Sequence, residues 1–253
     1  MASPIKVPAL QRALNILEVL QKHRRCSISE IIAITGLPRS SVYVLIEDML
    51  RLKLIRQNSD KTIQLWLKLV SLGNAASENL DLKDLIAPYL EKLILQTESL
   101  AVHFGIMDDT KAYYVVKRTN PKFGVRVMSR EGGEISLVHT AIGKCLLAFQ
   151  DNGLREQIIQ NLDYTQATAN SISNPKTLRK ELAQIINRGY AYDNAESGLE
   201  IRCVAAPVFD FDNRLMGAIS VVGTINHFTA ASLTRIIELV KRTASSISLG
   251  MML

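Results

Sequence analysis

Apolar positions between residues 8 and 55 recur at helical spacing in three short runs. Leu10, Leu14, Leu17, Val19 and Leu20 predict a first helix, and Ile28, Ile31, Ile32 and Ile34 a second, shorter one. Val42, Leu45, Ile46 and Met49 fall at i, i+3, i+4 and i+7 and predict a third helix with one buried stripe. The punctuation agrees with that division. Ser27 and Glu30 stand in the S-x-x-E spacing of a capping box, where each side chain satisfies a backbone donor at a helix start. Gly36 ends the second helix, because glycine takes the left-handed terminal conformation without steric cost. Pro38 suits the opening turn of the third, where its missing N–H is no loss. After Leu52 the period shortens: Leu54 to Gln57, a polar turn over Asn58 to Lys61, then Thr62 to Leu65 predict a β-hairpin.

Trp66 to Asn79 starts apolar and turns small and polar, which predicts a linker, helical through Leu72 and broken near Gly73. Asp81 to Glu98 is a helix with Leu82, Leu85, Ile86, Tyr89, Leu90, Leu93 and Ile94 on its stripe, bent at Pro88. Beyond it come strands over Leu100 to Met107 and Ala112 to Arg118, around the turn Asp108 to Lys111, and a third strand over Gly124 to Ser129. Helices follow over Ala141 to Phe149, Gly153 to Asn161 and Lys176 to Arg188, the last stopped by Gly189. Ile201 to Phe209 and Leu215 to Gly223 form another hairpin around Asp210 to Arg214. A closing helix starts from a Thr229 cap with Leu233, Ile236, Ile237, Val240, Ala244 and Ile247 inward. Hairpins with helices before, between and after predict an antiparallel sheet in an α+β domain.

Charge changes the picture more than composition does. Of 30 Lys and Arg and 24 Asp and Glu, residues 1–75 hold 11 and 5, leaving 19 of each beyond. The formal net charge of +6 therefore lies wholly in the small helical region. Three helices and a wing, basic throughout, read as a winged helix-turn-helix that binds DNA, with a neutral sensing or assembly module attached. Arg39, Ser40, Ser41 and Tyr43 open the third helix, the end that enters the major groove first. A helix pair in an ordinary bundle and a winged helix that docks protein stay as alternatives.

The other classes fall away. No apolar run reaches the ~18 residues that span a bilayer, and no signal-peptide layout opens the chain, so the expected location is the cytoplasm. Cys26, Cys145 and Cys203 are odd in number and widely spaced, without a C-x-x-C, and with four His they suggest neither disulfides nor a metal centre. No Walker A loop, dinucleotide fingerprint or nucleophile elbow is present, so no cofactor is expected.

Four stretches, in order, resemble the IclR family of bacterial transcriptional regulators. They are Gln11 to Leu17 (QRALNIL), Gly36 to Tyr43 (GLPRSSVY), His139 to Lys144 (HTAIGK), and Gly189 to Asp193 (GYAYD) followed by Ile201 to Pro207 (IRCVAAP). The resemblance covers nearly the whole chain. It implies a winged helix-turn-helix reader over residues 1–66, a linker helix over 67–80, and a GAF-like domain over 81–253 that binds the effector and oligomerises. It also implies dimers or tetramers, and control of a neighbouring catabolic operon by a small organic acid. Residue by residue, the family's effector pocket falls on Thr140, Ala141, Ile142, Asp193, Cys203 and Ser220. The amides at the helix start near Ala141 suit a carboxylate, and Asp193 suits hydroxyl donors.

Some positions depart from the family pattern. Val222 stands where a second serine is frequent, Ala195 where Glu is common, and Glu200 where glycine is usual. In the reader, Val44 replaces a frequent Arg, while Glu47 and Asp48 place carboxylates on the exposed face, confining base reading to the first two turns. The combined reading is a DNA-binding repressor set by a monocarboxylate bearing hydroxyl or keto groups. Arg39, Ser40, Ser41 and Tyr43 would meet base edges and nearby phosphates of a double-stranded operator, and Arg12, Arg56 and Lys61 would hold the backbone. The rival is an enzyme built on Cys203 and Asp193.

Overall fold

The computed structural model describes residues 5–78, 82–123 and 127–250. The chain divides into two compact units, residues 1–80 and 81–253.

In the first unit, α1 (Pro8–His23), α2 (Ile28–Thr35) and α3 (Arg39–Arg51) are followed by the hairpin β1 (Ile55–Gln57) and β2 (Ile63–Leu65), then α4 (Leu67–Glu78). The Ser27–Glu30 box forms: the Ser27 N–H donates to Glu30 Oε2 at 2.7 Å, and the Glu30 N–H to Ser27 Oγ at 3.2 Å. Gly36 closes α2 at φ 65°, its N–H on the Ile32 carbonyl. Pro38 sits one place earlier than its helix-opening role predicts, as the N-cap of α3. Ile16, Leu20, Ile31, Val42, Ile46, Met49, Ile55 and Ile63 make the core. Cys26 joins it by bridging Ile63 through two backbone hydrogen bonds, so the hairpin is tied to the helix pair.

Three expectations for this unit need correction. Leu10 and Leu14 are exposed, at 67% and 47%, because α1 turns Ile16 and Leu20 inward and leaves those leucines on another face. Ile34 on α2 is likewise half exposed. The linker does not break at Gly73: α4 runs unbroken to Glu78.

The second unit orders α5 (Leu82–Thr97), β3 (Ala101–Asp108), β4 (Lys111–Thr119), β5 (Glu134–Ile135), α6 (Ala141–Ala148), α7 (Asn152–Asn161), α8 (Pro175–Arg188), β6 (Ala191–Asn194), β7 (Ile201–Phe209), β8 (Leu215–Thr224) and α9 (Ala230–Gly250). Its six-stranded sheet has the order β5-β4-β3-β8-β7-β6, and every pairing is antiparallel. The alternation along each strand feeds two cores. Val102, Phe104, Val204, Val208, Ile219 and Val221 meet α5 and α9 on one face. Ala101, Cys203, Ala205, Ala218 and Val222 meet α6 and α8 on the other, where small strand residues leave room.

Residues 124–126 of the expected third strand lie outside the described residues, and Val127 to Ser129 are not in a strand. The short β5 pairs with β4 instead. The edge strand β6, lodged between Gly189 and the turn after Asn194, is too short to show in the period-2 pattern.

Candidate nucleic-acid interface and effector site

The first two turns of α3 expose Arg39, Ser40 and Tyr43, the last at 56%, while Val42 between them is fully buried. A buried valine, held in the core, therefore fixes which way its polar neighbours face. Ser41 is half-buried, with Arg12 Nη1 of α1 3.4 Å from its hydroxyl. That contact binds Arg12 to the reader helix itself. Further along α3, Arg51 pairs with Glu47 on an exposed face, so one of the two acidic groups there is already matched.

The hairpin supplies a second cationic edge. The Arg56 guanidinium lies 4.5 Å over the Trp66 ring, a stacking that holds the charge in place without neutralising it. Lys61 takes φ 62° in the turn, which the Asn58 backbone closes from both sides. Asp60 accepts from the Thr62 N–H and hydroxyl at 3.0 and 2.6 Å, and these bonds hold its carboxyl below the usual carboxylate range. The turn is thus built by its own polar residues, leaving the Lys61 side chain exposed.

In the second unit the predicted effector residues converge from α6 and the sheet. Thr140 caps α6: its hydroxyl donates to the Ser136 carbonyl at 2.7 Å and accepts from the Gly143 N–H at 3.0 Å. Of the four N–H groups at the start of α6, the cap satisfies that of Gly143 and leaves those of Thr140, Ala141 and Ile142 without an intrahelical partner. Gly143 has no room for a side chain, since a Cβ there would stand 2.0 Å from the Ser136 carbonyl oxygen. Ile142 reaches down to Gly105 of β3, where a Cβ would meet its Cδ1 at 3.1 Å.

Across the sheet, Asp193 pairs with Cys203 and Cys203 with Val222, and the next row joins Ala205, Ser220 and His103. Asp193 is fully buried. It accepts from the Glu196 N–H at 2.7 Å and from the Ser197 hydroxyl at 2.6 Å. Burial raises its pKa against the pull of those bonds. The carboxylate thus organises the turn after β6, leaving limited acceptor capacity for a ligand. Cys203 is a thiol: burial, then the Asp193 charge, push it well above the usual cysteine value, the reverse of what a nucleophile needs. A buried thiol held protonated beside a buried carboxylate does not supply the activated thiolate that an enzyme built on Cys203 and Asp193 would need.

Three residues of this site escaped the sequence pattern. Lys144 is 1% exposed and spans from α6 to β6, donating to the Tyr192 carbonyl at 2.8 Å and to Glu196 Oε1. Glu196 is itself buried, its pKa raised by burial against the opposing effect of Lys144. A buried acid follows Asp193 after all, at position 196 and not at Ala195. His103, 2% exposed, sets Nδ1 3.3 Å from Ser220 Oγ and Nε2 2.7 Å from Ser129 Oγ. Burial, then the Lys117 charge, depress its pKa to about 3. Lys144 stood inside the quoted HTAIGK stretch, and its place in the first turn of a wholly apolar helix was the available signal. His103 offered none, being one polar residue in a strand read as core. Among the described residues, no group of three or more His, Cys, Asp or Glu is placed to hold a metal, and no helix is long and apolar enough to cross a membrane.

Comparison with known proteins places both units. The IclR helix-turn-helix domain matches residues 9–59, and the bacterial transcriptional regulator IclR C-terminal domain matches residues 74–249. The HTH-type transcriptional regulator RhmR of Escherichia coli is 41% identical over 87% of this chain and 84% of its own. The regulator KdgR of the same organism is 29% identical over 98% and 94%. Among solved structures, the Thermotoga maritima IclR superposes with a TM-score of 0.76 at 26% identity, covering 96% of this chain and 98% of that one. An IclR homolog from Microbacterium hydrocarbonoxydans, complexed with 4-hydroxybenzoate, shares the fold at a TM-score of 0.79 and 18% identity, covering 96% and 98%.

Proposed function

The chain belongs to the IclR family of bacterial transcriptional regulators, and from that premise we propose that it represses a catabolic operon under control of a small monocarboxylic acid. It is a DNA-binding regulator and not an enzyme, as its relatives are. The observation that carries the DNA half is the head of α3, where Arg39, Ser40 and Tyr43 are exposed around a fully buried Val42. These side chains meet base edges, with Ser41 beside them. Arg12, Arg56 and Lys61 hold phosphates and so set register without reading sequence. The protein works as a dimer or tetramer in the cytoplasm.

The effector half rests on the orphan amides from Thr140 to Ile142 at the N-terminus of α6, which favour an anion. Thr140, Asp193, Cys203 and Ser220 border the same face and interact with the ligand's neutral oxygens. Asp193 and Glu196 disfavour a second carboxylate beside them, so the ligand is a hydroxylated or keto monocarboxylate. The 4-hydroxybenzoate held by the Microbacterium homolog is an acid of that general kind, and the Escherichia coli relatives IclR and YiaJ are named repressors.

A mobility shift on the promoter fragment neighbouring the gene tests the proposal. Selective, salt-dependent binding that changes on adding one of a panel of such acids is the expected result. Equal affinity for an unrelated duplex, with no response to any acid, would overturn it.

A further inference from the structure

The helices α5 and α9 share one core on the sheet face opposite α6, to which both send their buried stripes. Beside that seam each helix carries a polar stripe. Tyr89, Lys92 and Gln96 of α5 fall at i, i+3 and i+7, and Arg242, Thr243 and Ser246 of α9 at i, i+1 and i+4, so each set keeps to one side of its helix. The two stripes line a groove of about 450 Å³, a volume within the range of small-molecule sites. Its charge is one-sided. Lys92 and Arg242 have no Asp or Glu beside them among the described lining residues, and neither forms an ion pair with a described residue. The acids nearest in sequence are placed elsewhere: Glu91 takes Arg118 Nε at 3.1 Å, and Glu238, one turn before Arg242, lies outside the groove. Two cations held across one groove repel, and a dianion between them relieves that repulsion. The Tyr89, Thr243 and Ser246 hydroxyls and the Gln96 amide border the same space as neutral hydrogen-bonding groups. The Tyr89 hydroxyl reaches the end of α9, 2.7 Å from where a Cβ on Gly250 would stand. The negative end of α9 is also there, two turns beyond Arg242, and a helix dipole fades within its last turn.

We propose that this groove binds a phosphate monoester of a small sugar or polyol, on the opposite side of the sheet from α6. The proposal goes beyond the effector reading and does not depend on it. A phosphoryl group carries nearly two negative charges at neutral pH, which matches the two cations. It lies between them, with the guanidinium fork of Arg242 on one side and the point charge of Lys92 on the other. Hydroxyls of the organic part meet Gln96, Thr243 and Ser246, and its carbon skeleton rests on the Pro88 and Tyr89 rings. A monocarboxylate brings a single charge and leaves one cation unmatched. A long polyanion such as nucleic acid is disfavoured as well, because the chain beyond residue 75 has 19 acidic residues for 19 basic ones and the unpaired charge is confined to the groove.

Calorimetry on the full-length protein in phosphate-free buffer tests this with glycerol 3-phosphate and ribose 5-phosphate, against glycerol, ribose and inorganic phosphate. At least one ester should bind saturably and more tightly than inorganic phosphate, and the two uncharged alcohols should give no signal. Lys92 and Arg242 are exposed, so Lys92→Gln and Arg242→Gln should keep the circular dichroism of wild type. Each should weaken the ester by roughly tenfold or more, the loss of one charge-assisted contact. Lys180→Gln, at an exposed lysine of α8 outside the groove, should leave binding unchanged. Absence of ester binding at millimolar concentration would overturn the proposal, as would binding that both groove variants retain. An equal loss in Lys180→Gln would reduce the effect to general charge attraction and overturn it too. Inorganic phosphate binding as tightly as the esters would overturn the assignment of an ester.

Discussion

Lowering the pH should destabilise the C-terminal unit through His103, by an amount the structure lets one work out. The imidazole is 2% exposed, with Ser220 and Ser129 at its two nitrogens, Tyr114 against its face and the Lys117 cation on the neighbouring strand. Its folded pKa is depressed from 6.5 to about 3, mainly by burial. Below pH 6.5 the unfolded chain gains a proton here that the folded chain refuses, so this contribution is complete above pH 6.5 and is lost as the pH falls toward 3. At about 1.4 kcal/mol per unit, the loss between pH 7 and pH 4.5 comes to about 2.5 kcal/mol. Asp193 and Glu196, whose pKa values are raised, act in the opposite direction over an overlapping range, so wild type alone would blur the effect. The difference between wild type and His103→Gln removes their common part. Urea unfolding followed by far-ultraviolet circular dichroism measures that difference, while fluorescence of Trp66, the single tryptophan, follows the N-terminal unit separately. The stability of wild type relative to the variant should fall by about 2.5 kcal/mol from pH 7 to pH 4.5. A difference that stays flat would show that His103 titrates as in open solvent, and the buried account of it would fail.

Further outcomes follow from the two proposed sites. Arg39→Ala should weaken specific DNA binding by about 1–3 kcal/mol in a mobility shift at fixed salt, with the fold unchanged; equal affinity would remove α3 as the reader. Lys61→Ala should lower affinity alike on all sequences and flatten the salt slope by about one, whereas a purely selective loss would mean that the wing reads bases. Leu67, Val70 and Leu72 of α4 are 63%, 57% and 51% exposed, and they are expected to pack against a second copy. Light scattering should give a dimer or tetramer for wild type and a smaller species for Leu67→Glu, while a monomeric wild type with full DNA affinity would refute the assembly. Gly143→Ala should destabilise the second unit by about 1–3 kcal/mol, because its Cβ has no space beside the Ser136 carbonyl; an unchanged urea midpoint would contradict that packing.

The parts of this fold legible in the sequence are those with a local cause. The Ser27–Glu30 box and Gly36 bound α2 by hydrogen bonds and a backbone conformation confined to a few neighbouring residues, and their residue types announce both. The hairpins β3–β4 and β7–β8 showed because each carries a long β-rich, mostly apolar run on either side of a polar turn. The errors came where the deciding neighbour is remote. Leu10 and Leu14 share a helical period with the core, and the orientation of α1 against α2 and α3 decides which leucines it buries. Gly73 costs a helix about 1 kcal/mol, too little to break one with good helix formers on both sides.

The effector site was legible in the same partial way. The start of α6 near Ala141 was legible from its apolar period, whereas the Thr140 cap and the tight packing of Gly143 appear only in the structure. Asp193, Cys203 and Ser220 entered through the family resemblance, and pairing across β6, β7 and β8 is what sets Asp193 against Cys203 and ranges Ser220 in the next row. What no local pattern could convey is that the polar groups of this site are mostly engaged with one another. Asp193 supports the turn at Glu196 and Ser197, Glu196 pairs with Lys144, and Lys144 ties the first turn of α6 to the β6 backbone. Removing one partner of such a buried pair strands the other, at a cost of several kcal/mol, so these residues hold α6 over the sheet more than they select a ligand. Selection then falls to the groups that the network leaves open, the amides of Thr140, Ala141 and Ile142 at the start of α6.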